Sequence, residues 1–114
     1  MSRGVPTAIE LVRAVAELLR HDVVAGTDGE LAFHARVAAH ALGIVERELA
    51  QGARVEAAHA NRLEALGVAD ESALANAIRN GGFDGREHYV VEALHARAID
   101  LLAIDNPRYL AAPD

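Results

Sequence analysis

A chain of 114 residues, 52% of them hydrophobic, with no cysteine and a formal charge of −6 has the size of one hydrophobic core, able to bury roughly two thirds of the surface its unfolded form exposes. The absence of cysteine excludes disulfides, thiolate nucleophiles and cysteine metal sites, and the acidic balance argues against a nucleic-acid binder, which needs a basic face. Only Phe33, Phe83, Tyr89 and Tyr109 are aromatic, so the core is aliphatic and rich in Ala and Leu, residues that favour packed helices over strands.

In chain order, Thr7 with Glu10 reads as a capping box opening a helix over about 7–24, with Leu11, Val15, Leu18, Leu19 and Asp22 on one side and Glu10, Arg13, Glu17 and Arg20 on the other. Residues 26–29 break it. Thr27 and Glu30 repeat the capping pattern before a central helix over about 30–51, for which Gly52 is the stop. Its Leu31, Ala35, Ala38, Leu42, Val45 and Leu49 share a narrow sector that Phe33, Val37, Ala41 and Ile44 widen to half the circumference or more. An arc that wide predicts a helix covered by its own chain. A third helix runs over about 54–66 to Gly67; Asp70 caps a fourth over 71–80, with Leu74 and Ile78 inward and Gly81 and Gly82 after it. Asp84 and Glu87 mark the start of a fifth, whose stripe is Val90, Val91, Leu94, Ala98, Leu101 and Leu102 and which Pro107 closes. No alternating strand pattern occurs. The expectation is all-α: a compact, irregular bundle of about five helices around the central one, a single domain over 1–114 with flexible ends at 1–6 and 111–114. No stretch has the length of a signal peptide or a membrane span, so the expected location is the cytoplasm.

Chemistry is sparse. Glu56 with His59 and Glu92 with His95 form two Glu-x-x-His pairs, the spacing that places two metal ligands on one helix face in di-iron bundles. Glu92 and His95 sit on a helix flank and the first helix's glutamates point to solvent, so two partly exposed pairs are the favoured reading and no metal is assigned. There is no phosphate loop and no nucleophile motif, and no catalytic residue is assigned. Opposite the apolar arc, Ala32, Arg36, Ala39, His40, Gly43, Arg47 and Ala50 recur at helical spacing. This small-residue stripe is expected to remain exposed, with Arg36, Ala39, His40, Gly43 and Arg47 available to a partner and the two arginines, about 16 Å apart along the axis, able to fork onto carboxylate or phosphate. Asn106, Pro107 and Tyr109 are read as a structural latch that folds the Tyr109 ring onto the core.

The segments FHARVAAHALGIVEREL, LAIDNPRY and PTAIELVRAVAELLR resemble a family of small bacterial helical proteins of uncharacterised domain type. Phe33, Arg36, Val37, Leu42, Arg47, Glu48, Leu49, Asn106, Pro107 and Tyr109 carry the match, which departs at His40, where the family usually has asparagine. Such proteins are typically encoded beside an aminoglycoside-phosphotransferase-like kinase and an acyl-CoA dehydrogenase, and resemble the small accessory subunit of the 4-hydroxyacyl-CoA kinase of levulinate catabolism. The resemblance implies a noncatalytic accessory subunit in acyl-CoA metabolism whose partner is the kinase, with the acyl-CoA dehydrogenase system as a further candidate. It implies no cofactor of its own, since ATP and Mg²⁺ belong to the kinase, and neither nucleic acid nor membrane as partner. The alternatives are a small metal-binding enzyme or carrier using Glu56, His59, Glu92 and His95, and a plain homodimer of the isolated protein.

Overall fold

The computed structural model describes residues 5–111, so the expected flexible ends lie mostly outside them. Its order is α1 (Ala8–Glu17), a π-helical continuation (Leu18–Val23) and a last turn (Val24–Gly26), then α2 (Gly29–Ala65), α3 (Glu71–Arg79), α4 (Glu87–Asp105) and a 3₁₀ turn (Pro107–Leu110). No strand occurs among the described residues, and the chain is all-α. Two compact units divide it, Met1–Gly52 and Ala53–Asp114.

In the first unit the expected capping box forms. The Glu10 backbone N–H donates to Thr7 Oγ1 at 3.2 Å, and the Thr7 N–H donates to Glu10 Oε1 at 2.7 Å, so two of the N–H groups orphaned at a helix start are satisfied reciprocally. Past Glu17 the helix widens, and the Val24 N–H reaches the Leu19 carbonyl five residues back. Thr27 does not cap the next helix as expected: that helix starts at Gly29, so Thr27 stands one residue before its cap position, where its hydroxyl donates to the Val23 carbonyl at 2.6 Å.

Gly52 does not stop the central helix. A glycine ends a helix by adopting positive φ at C′, and the positive-φ glycines are Gly29, Gly67, Gly81 and Gly85. Gly52 stays helical and buried, so the expected third helix is the continuation of α2 and the labelled helices number four. The burial of α2 in this unit departs from the expected arc in part: Ala35 is buried and Ala38, Leu42 and Ile44 are half-buried, but its other large residues are not. Ala32, Ala35 and Ala39 are inside with Ala16 of α1, whereas Leu31, Phe33, Val37, Val45 and Leu49 are 43–58% exposed. Alanines let two backbones approach closely, and a ten-residue partner helix covers one narrow face of α2, leaving much of the wide apolar arc uncovered.

The second unit starts from the end of α2. Gly67, at φ +81°, closes a Schellman motif: its N–H donates to the Glu64 carbonyl at 2.9 Å, and the Val68 N–H to the Leu63 carbonyl at 3.1 Å. Val68 thereby packs on the cluster of Leu63, Leu74, Phe83 and Val90 that forms this unit's core. The Asp70 carboxylate caps α3 as expected, accepting the Ala73 N–H at 2.8 Å. Asp84 does not cap α4; Arg86 occupies that position without a side-chain bond. The Glu87 carboxylate accepts its own backbone N–H and that of Gly85, which holds its pKa below the usual glutamate range. On α4, Val90 and Ile104 are buried, whereas the expected inward residues Val91 and Leu94 are 64% and 43% exposed. Pro107 ends α4 at Asn106, but Tyr109 does not fold inward: the 3₁₀ turn leaves it 74% exposed, so a latch here consists of the turn itself.

Candidate functional site

The most unusual surface lies on the first unit, and a side-chain ion pair reports its register. Arg13 Nε donates to Glu46 Oε2 at 2.7 Å, and Arg20 lies with Arg36, Ala39 and His40 around one cleft. Both relationships give the same antiparallel register between α1 and α2. That register sets Leu11 level with Leu49 and Val15 level with Val45. At about 100° per residue, Leu11 and Val15 form one stripe of α1, which Leu18 at the start of the π-helical continuation extends, and Leu31, Val45 and Leu49 form one sector of α2. All six are large, apolar and 43–58% exposed. Glu10 and Glu17 flank the α1 stripe, while Glu30 and Glu48 stand beside the α2 sector, and all four are exposed.

Arginines take the other side. On the wheel, Arg13 of α1 and Arg36 and Arg47 of α2 fall opposite these stripes, and Arg20, in the π-helical segment, lies 3.6 Å from Glu17. Arg20, Arg36, Ala39 and His40 line the cleft, about 290 Å³ in volume, beside the π-helical segment. The small-residue stripe expected to face a partner is therefore split: Arg36 and His40 are exposed, Ala32 and Ala39 are buried, and Gly43 is half-buried beside Arg47, whose Nη1 lies 3.4 Å from where a Cβ on Gly43 would stand. The spacing placed Leu11, Val15 and Leu18 on one side of the first helix, and Leu31, Val45 and Leu49 in an arc expected to be covered by the chain. The contrary signal was the Ala32, Ala35, Ala39 column, which suits close helix approach better than any column of leucines.

In the second unit the Glu-x-x-His residues do not converge. His59 is 8% exposed, and its Nε2 lies 2.6 Å from Glu71 Oε2, a partner on α3 that the sequence did not single out. Glu56 instead accepts from Arg97 Nη2 at 3.0 Å, and Arg97 Nη1 is buried without a hydrogen-bond partner. His95 is exposed. Glu92 lines a cavity of about 440 Å³ with Arg62, Leu66, Arg86 and Tyr89. The guanidiniums there are engaged: Arg62 Nη1 donates to Asp100 at 2.9 Å, and Arg86 lies 5.0 Å from the Phe83 ring centroid and donates to the Gly82 carbonyl. Glu71 and Glu56, the carboxylates at the His59 pair, are thus committed to structural pairs, and no group of three or more His, Asp or Glu side chains suited to hold a metal occurs among the described residues.

A family model described as a domain of unknown function, DUF6285, matches residues 25–109, about three quarters of the chain. The chain belongs to this family. No curated protein and no solved structure matches it. The DUF6285 region holds α2, α3 and α4 complete, together with the Arg36 and His40 side of the cleft and the Leu31, Val45 and Leu49 sector. Leu11, Val15, Leu18 and Arg20 precede it, so the apolar face and the cleft are both completed by residues outside the DUF6285 match. Among the described residues no helix is long and apolar enough to cross a membrane.

Proposed function

We propose that the chain is a noncatalytic partner subunit whose first unit docks on another protein. One observation carries this reading: Leu11, Val15, Leu18, Leu31, Val45 and Leu49 lie on the surface, each 43–58% exposed. Apolar stripes that lie side by side on two helices and are rimmed by charge mark interaction surfaces, whereas scattered single leucines do not. The commitment of the His59 and Glu56 side chains to Glu71 and Arg97 also supports a binding role, because groups held in structural pairs are poorly placed to act as an acid, a base or a nucleophile. The partner that the sequence resemblance implies is the aminoglycoside-phosphotransferase-like kinase acting on a hydroxyacyl-CoA, with ATP and Mg²⁺ bound by the kinase. In this reading the chain contributes by stabilising the kinase's active conformation.

Co-expression of the chain with an aminoglycoside-phosphotransferase-like kinase of the kind the resemblance implies tests the proposal. A stable complex and faster hydroxyacyl-CoA phosphorylation than by the kinase alone are expected, with no ATP turnover by the chain alone. A kinase that neither binds the chain nor responds to it overturns the reading.

A further inference from the structure

The charge distribution around the exposed apolar face identifies what kind of partner it fits. Glu10 and Glu17 run along the α1 stripe, Glu17 with Arg20 at 3.6 Å and His21 at 3.0 Å beside it, and Glu30, 3.8 Å from His34, and Glu48 accompany the sector of α2, while Arg13, Arg36 and Arg47 fall on the opposite side. The face therefore combines apolar area with an acidic surround on both of its long edges. Its apolar part is six large side chains, each 43–58% exposed.

We propose that this face binds an amphipathic helix of another protein, with apolar residues along one side and Lys or Arg along its flanks. The inference rests on the partner-subunit reading and specifies the partner's chemistry. A second copy of this chain fits badly. Both edges of the face carry glutamates, so two copies joined face to face set carboxylate against carboxylate in either orientation, and like charges meeting at an interface disfavour the pair. An anionic lipid surface is disfavoured on the same ground. A helix with basic flanks meets glutamates on both sides while its apolar residues cover the Leu11, Val15, Val45 and Leu49 surface, the helix-in-groove mode of recognition.

The probes are two fluorescein-labelled peptides of 18 residues, each with leucines on one helical face; lysines flank the leucines in the first and glutamates in the second. Fluorescence anisotropy with the full-length chain should give saturable one-to-one binding of the lysine peptide, weakening with salt, and at least tenfold weaker binding of the glutamate peptide. Val15→Glu with Val45→Glu should weaken the lysine peptide at least tenfold. Glu17→Gln with Glu48→Gln, which leaves the apolar residues in place, should weaken it several-fold, and circular dichroism reports whether each variant remains helical. Equal binding of both peptides, or binding indifferent to either double variant, overturns the proposal. So does a dimer in sedimentation equilibrium that Val15→Glu with Val45→Glu dissolves, because the occupant is then a second copy, and so does preferential binding to phosphatidylglycerol vesicles. A kinase complex that survives these negative outcomes leaves the partner reading standing and removes only the basic helix.

Discussion

Arg13 and Glu46, 33 positions apart in sequence, meet at 2.7 Å and tie α1 to the first half of α2. The pair reports the register more than it stabilises it. With Arg13 58% and Glu46 29% exposed, the attraction is screened and offset by side-chain ordering, so Arg13→Ala should cost about 1 kcal/mol or less. Urea denaturation at low and high salt checks this; the difference should shrink at high salt.

The face that α2 buries in this unit is open to a paired test. Ala39 is 3% exposed and Val37 51%, so Ala39→Leu should destabilise by about 1–3 kcal/mol through overpacking, whereas Val37→Ala should stay within roughly 0.5 kcal/mol. Denaturant midpoints of the two variants decide it. A larger loss for Val37→Ala would restore the wide apolar arc to the interior.

The second unit's core makes a separate prediction. Leu74, 4% exposed, and Phe83, 5% exposed, sit in the cluster with Leu63 and Val90. Leu74→Ala should cost about 2–5 kcal/mol and Phe83→Ala about 3–5 kcal/mol, since each leaves a cavity. Val91→Ala, at a position 64% exposed, should fall within roughly 0.5 kcal/mol. The same denaturation measurement compares all three.

His59 is held by Glu71 at 2.6 Å with the ring buried. Glu71→Ala should cost about 1–3 kcal/mol, because it leaves a ring nitrogen without its partner. Glu71→Gln, which preserves a hydrogen-bonding group at the same reach, should cost less. Thermal unfolding of the two variants orders them.

Glu87 carries a pH dependence of known sign. Its folded pKa is depressed by its own backbone N–H and that of Gly85, so its contribution is present above the unfolded pKa and is lost as pH falls through the folded value. Glu87→Gln should therefore reduce stability near neutral pH and make little difference in strong acid. Nuclear magnetic resonance titration of the Glu87 carboxyl should find it below the ordinary glutamate range.

Local signals were the most legible part of the sequence. Thr7 with Glu10, Asp70, Gly67 and Pro107 act through neighbours within a few positions, and each ends or begins a helix where spacing predicted. Gly52 and Thr27 did not act as the spacing predicted: glycine stops a helix by taking positive φ, which Gly52 does not, and the helix starts at Gly29, one residue too late for Thr27 to be its cap. Burial was less legible. Hydrophobic periodicity gives the apolar side of α2 but not how much of it a short partner helix covers, and the alanine column proved the better guide to close packing. The ion pairs Arg97–Glu56 and His59–Glu71 join residues of different helices, and no spacing rule along a single helix reveals them.

The most direct test is retention of an aminoglycoside-phosphotransferase-like kinase, the proposed partner, by immobilised Val15→Glu, Val45→Glu protein, with Arg36→Glu, Arg47→Glu protein as comparison and circular dichroism as the check on folding. The account predicts that the first variant stays helical and loses the kinase, while the second, altered on the opposite side, retains more of it. Full retention by the first variant, or loss by the second alone, would contradict the assignment of the apolar face as the docking surface.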